Sequence, residues 1–128
     1  MALDYQTDGG MLTVVLAAAD LAGGAEGLAG PLPGSADVSD AIAKTLADTG
    51  CRTLIVDFSK VPLLPSLGIS ELLHVHHHCR EHGVGMVVCG LSPDIARVFR
   101  VTALTRLLQV YPSAAAARDA CAADVRND

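Results

Sequence analysis

The sequence predicts a single α/β domain over residues 1–128, in which an N-terminal β-hairpin is followed by alternating helices and strands that form a mixed sheet packed against about four helices. Three observations predict it. Two β-rich runs flank Asp8-Gly9-Gly10 near the start of the chain. The stretches "RTLIVDF" and "GVGMVVCGL" are short and almost continuously apolar, as strands buried on both faces are. Segments of helical period separate these runs, and a strand, helix, strand order of that length implies parallel pairing through crossovers.

Taken in order, "LDYQTDGGMLTVVLA" supplies the two antiparallel strands and their tight turn. Residues 21–36 hold five glycines and two prolines with no sustained apolar period, so a flexible Gly/Pro-rich loop is expected there. In the first helix Val38, Ile42 and Leu46 recur at i, i+4 and i+8, with Ser35 or Asp37 as the expected cap and Gly50 as the stop. After "RTLIVDF" a second helix is expected from about Leu67 to His82, capped by Ser66 and ended by Gly83. Ser92-Pro93-Asp94 then combines a cap, a proline at the first helical position and an early carboxylate, and Ile95, Val98 and Phe99 form the apolar stripe behind it. "LLQVY" reads as the last strand and "PSAAAARDACAADV" as the last helix.

Composition narrows the function. Hydrophobic residues make up 51% of the 128-residue chain, enough for one core. A formal net charge of −5 without a basic run gives no footprint for nucleic acid or an anionic membrane, so proteins or small molecules are the expected partners. Cys51, Cys79, Cys89 and Cys121 never form a Cys-x-x-Cys pair, which argues against a zinc ribbon or a thioredoxin-like site. With no secretory leader pattern and no run approaching a membrane span, the expectation is a cytoplasmic protein with reduced thiols.

"LIVDFSKVPLLPSLGISELL" resembles the central segment of STAS domains, the fold of bacterial anti-sigma factor antagonists, where a strand ending in Asp-Phe-Ser leads through Asp-Ser-Ser-Gly into a helix. "MVVCGLSPDIARVFRVTALTRLLQVYPSAAAA" is similar to the family's next strand, Ser-Pro helix, Leu-rich turn and final strand and helix. Asp20-Leu21-Ala22 matches a family Leu-Asp-Leu-Ala, although Ala18-Ala19 replaces the Gly-Glu that usually precedes it. The resemblance implies the STAS fold. It also implies a non-catalytic, regulatory domain that binds a kinase-type anti-sigma factor through Asp20, Asp57, Ser59, Pro65, Ser66, Leu67 and Gly68, with no metal or other cofactor. The alternative it leaves open is the small STAS subunit of a lipid-transport ATPase complex. A metal-dependent or serine enzyme is a third reading, disfavoured because no convergent acid–base set is visible.

The departure from the family lies at the switch. Phosphorylated antagonists carry the acceptor serine directly before the glycine, whereas Pro65, Ser66 and Leu67 precede Gly68 here. Leu67 has no hydroxyl, and Ser66 stands one residue early. The plain role of Ser66 is a helix cap worth about 1 kcal/mol. Its functional role would be a displaced phosphoacceptor, because phosphate brings about −1.5 to −2 charges to a helix start facing a partner. No Gly-x-Ser-x-Gly elbow supports a nucleophile.

At 100° per residue, His74, His78 and His82 fall with Glu71 and Glu81 on an expected solvent face, opposite Ile69, Leu72, Leu73 and a partly buried His76. The i, i+4 histidines could pinch a metal, yet the helix lacks His-Glu-x-x-His and an evident fourth ligand. "GGAEGLAG" lacks the Gly-Lys-Ser/Thr of a phosphate loop and the Gly-x-Gly-x-x-Gly of a dinucleotide site. Relative to the family it looks like an insertion.

Overall fold

The structure is a computed structural model that describes residues 4–17, 33–61 and 66–127. Strands β1 (Asp4–Asp8) and β2 (Met11–Ala17) pair antiparallel, with Asp8 opposite Met11. The two-residue loop between them needs left-handed backbone at both positions, and Gly9 and Gly10 supply it at φ 57° and 84°. Helix α1 (Pro33–Thr49) leads to β3 (Thr53–Lys60), α2 (Ser66–Glu81) to β4 (Gly85–Cys89), and α3 (Pro93–Val101) with a 3₁₀ turn (Leu104–Arg106) to β5 (Gln109–Tyr111). Helix α4 (Ala114–Asn127) closes the chain. The sheet order is β1-β2-β3-β4-β5, antiparallel at the first pair and parallel at the next three.

Period-two alternation divides the strands between two cores. Leu12, Val14, Leu54, Val56, Phe58 and Val88 face α1, α2 and α3 in the larger one. Met11, Ile55, Val87 and Cys89 face Ala117 and Cys121 of α4 in the smaller. Because both faces are covered, β3 and β4 are the nearly unbroken apolar runs the sequence contains. Phe58 and Phe99, both fully buried, meet edge to face at 6.2 Å and join β3 to α3.

Two expectations need correction. Helix α1 begins at Pro33, so Ser35 and Asp37 lie inside it rather than ahead of it. A proline fits the first helical turn, where its missing N–H would have had no partner. Residues 33–36 of the expected loop are therefore helix, and residues 21–32 lie outside the described residues.

The second correction is the rotation of α2. Its buried row is Leu72, Val75 and Cys79, while Leu73 is 42% exposed and Glu71 only 2% exposed. Val75 and Cys79 continue the i, i+3, i+7 stripe from Leu72, and a free cysteine packs as a small hydrophobe. Both were left out of the expected apolar face, and adding them turns it away from Leu73 and brings Glu71 to its edge. Accordingly, Val75→Ala is expected to cost about 2 kcal/mol in urea unfolding, and Leu73→Ala less than about 0.5 kcal/mol. Equal losses would restore the original orientation.

Candidate functional site

Parallel crossovers bring the carboxyl ends of the strands and the starts of α1, α2 and α3 to one end of the sheet. Here the last residues of β3 include Asp57 and Ser59, just before its end at Lys60. The Ser59 backbone N–H donates to Asp57 Oδ1 at 2.8 Å, a local Asx turn that holds the half-buried carboxylate in place. Val61 N–H donates to Phe58 carbonyl oxygen at 2.9 Å, curling the chain off the strand. Helix α2 then starts at Ser66, which with Leu67 and Gly68 forms its first helical residues. The expected start at Leu67 was one residue late.

Beside β3, the end of β4 is built around Gly90. Its φ is +70°, and a Cβ there would lie 2.7 Å from Asp57 Oδ1, 3.1 Å from Ser59 N and 3.2 Å from Ser59 Cβ. Its N–H donates to Tyr111 carbonyl oxygen at 3.3 Å. Two residues on, Ser92 Oγ accepts from Ile95 N–H at 3.3 Å and caps α3, with Pro93 and Asp94 in the expected places.

Of the residues expected to bind a partner, the structure therefore brings Asp57 and Ser59 together at one strand end and places Ser66, Leu67 and Gly68 at the start of the helix that follows. Asp20 and Pro65 lie outside the described residues. Gly90 was missed. Its signal in the sequence was a glycine between an apolar strand and a Ser-Pro cap, but its close approach to Asp57 belongs to the neighbouring strand and is visible only in three dimensions.

Asp57 pairs in register with Cys89 across the β3–β4 ladder. Burial pushes the Cys89 thiol from 9.0 up to about 12, with the Asp57 carboxylate adding to the rise and Arg118 opposing it. Burial alone raises Cys79 to about 11. All four cysteines are buried and none is in a disulfide. A thiol whose pKa is higher in the folded state favours folding until the pH passes its unfolded value, and the advantage is lost as pH rises through the folded value. The urea midpoint is therefore expected to fall between about pH 9 and 12, and Cys89→Ala should flatten part of that decline. An unchanged slope in the variant would remove Cys89 as its cause.

The histidine-crowded helix is ordered by local contacts. His77 Nε2 lies 3.4 Å from Glu81 Oε1, and the His78 and His82 rings stack at 4.1 Å. His74 and His82 are exposed and His78 half-buried, close to the expected arrangement. His76 is partly buried, and its pKa is lowered by that burial and by the neighbouring Arg80 and His77. Among the described residues no three His, Cys, Asp or Glu side chains group as metal ligands. No described helix is long and apolar enough to cross a membrane.

The family model for the STAS domain matches residues 34–117, which run from the first turn of α1 through β3, the start of α2 and Gly90 into α4. The chain belongs to the STAS domain family. Solved STAS-fold structures superpose over nearly its whole length. Moorella thermoacetica RsbS gives a TM-score of 0.77 at 12% identity, covering 98% of this chain and 99% of its own. The anti-sigma factor antagonist SpoIIAA in its unphosphorylated form gives 0.67 at 14% identity, with coverage of 99% and 98%. An anti-sigma factor antagonist from Mycobacterium paratuberculosis gives 0.67 at 21% identity, with coverage of 93% and 92%. At these identities the likeness is one of fold. Among its described residues this STAS domain has the five-stranded mixed sheet and four helices of its neighbours in fold.

Proposed function

We propose that this STAS domain is a non-catalytic anti-sigma factor antagonist that binds a kinase-type anti-sigma factor in the cytoplasm and releases the sigma factor, without being switched off by phosphorylation. The proposed surface comprises Asp57, Ser59 and the start of α2 at Ser66, Leu67 and Gly68, continued by Asp20 and Pro65. The observation that carries the reading is Leu67, which enters the first turn of α2 directly before Gly68, where the family pattern has its acceptor serine. SpoIIAA, a neighbour in fold, has been solved in both phosphorylated and unphosphorylated forms. This chain has kept the fold of such a switch and carries an aliphatic side chain at the acceptor position.

Titration of the protein into a preformed complex of a kinase-type anti-sigma factor and its sigma factor tests the binding. Displacement of sigma is the expected result, with or without ATP. No association, or association only with a transporter ATPase, would overturn the reading.

A further inference from the structure

At the end of the sheet opposite the proposed partner surface, a cleft of about 290 Å³ opens where α1 and α2 terminate. Its apolar wall includes Leu46, Ala47 and Val84, and its polar wall is Arg52, His78 and His82. Among the described residues no carboxylate lines it, although the whole chain carries a formal charge of −5. Among the described residues no carboxylate forms a salt bridge with Arg52. We infer that this cleft is a binding site for a small amphipathic anion, an aliphatic carboxylate whose chain lies on the Leu46–Val84 wall and whose charge meets Arg52.

Two helix C-termini would ordinarily oppose an anion, because their last carbonyls carry partial negative charge. Here some of those carbonyls, Leu46 in α1 and His78 and Cys79 in α2, are already occupied. Gly50 N–H donates to Leu46 oxygen at 2.9 Å, and Thr49 Oγ1 donates to Thr45 oxygen at 2.8 Å. His82 N–H donates to His78 oxygen at 3.1 Å, and Val84 N–H to Cys79 oxygen at 2.8 Å. The left-handed Gly50 and Gly83, at φ 68° and 70°, make this closure possible. The permanently charged side chain among the described residues that line the cleft is Arg52.

The histidines are held in place. His82 Nδ1 lies 2.8 Å from His78 carbonyl oxygen, and since a carbonyl only accepts, Nδ1 carries the hydrogen; Nε2 of the neutral ring is then an acceptor, which leaves Arg52 to meet the anion's charge. Stacking against His78 fixes the ring plane. The volume is at the small end of the range for ligand sites, which suits a chain of a few carbons rather than a nucleotide or lipid. Helix α2, of 16 residues, separates the cleft from Ser66 by roughly 24 Å, so occupancy here and partner binding there are separate events.

Sodium hexanoate, titrated into ¹⁵N-labelled protein, is the probe. Saturable shifts are expected at the amides of Gly50, Arg52, Gly83 and Val84, with Kd on the order of 1 mM for so small a ligand. Arg52→Gln should weaken binding about tenfold, as loss of one charge-assisted contact does. His82→Gln should weaken it less, and hexylamine and inorganic phosphate should each bind more weakly than hexanoate. Absence of saturable shifts at these amides would overturn the site. So would equal binding by hexylamine, equal binding by phosphate, or an Arg52→Gln variant that keeps its native spectrum and the wild-type affinity.

Discussion

Gly90→Ala is expected to destabilise the domain by about 2–5 kcal/mol in urea unfolding, although it adds a single methyl group. Two costs add. A side chain held at φ +70° pays about 1–2 kcal/mol for left-handed backbone. Its Cβ would also stand 2.7 Å from Asp57 Oδ1 and 3.1 Å from Ser59 N, a contact relieved only by moving the carboxylate or the end of β3. Over-packing of this kind typically costs about 1–3 kcal/mol. The double variant Asp57→Ala/Gly90→Ala separates the two, because it removes the carboxylate and keeps the backbone strain, so part of the loss should return. A loss below about 0.5 kcal/mol for Gly90→Ala would show that the strand ends are not packed as described.

Sequence patterns local to one element were legible, and patterns set by a neighbour were not. Asp8-Gly9-Gly10 fixed the hairpin because the turn's dihedral demand falls on the residues that make it. Ser92-Pro93-Asp94 fixed the start of α3 for the same reason. The orientation of α2 was misread because Leu73 and His76 looked as plausible a core as Val75 and Cys79 until the sheet was in place. A helix with apolar residues on more than half its circumference does not itself say which sector is covered. At the candidate site, Asp57 and Ser59 were singled out by family resemblance, whereas the contact that holds them beside Gly90 joins residues of two strands and has no sequence period.

On the proposed function, Leu67→Ser should turn constitutive binding into switchable binding. The variant restores a hydroxyl directly before Gly68, so incubation with the cognate kinase and ATP is expected to place one phosphate on residue 67, read by site-resolved mass spectrometry. Phosphate there adds about −1.5 to −2 charges at the start of α2, where a docked partner would have to bury it without compensation. Affinity for the kinase-type anti-sigma factor should then fall by roughly a hundredfold to a few thousandfold, the scale of leaving a buried charge unpaired. The unmodified protein should remain unphosphorylated and bind equally with and without ATP. Ser66 is not expected to substitute for the lost acceptor, because one helical residue turns a side chain by about 100° away from the direction of residue 67. Ser66→Ala should therefore retain full affinity. Efficient phosphorylation of Ser66 in the wild type, with Ser66→Asp reproducing the loss of binding, would show instead that the acceptor has moved one residue along the chain and that the switch is intact.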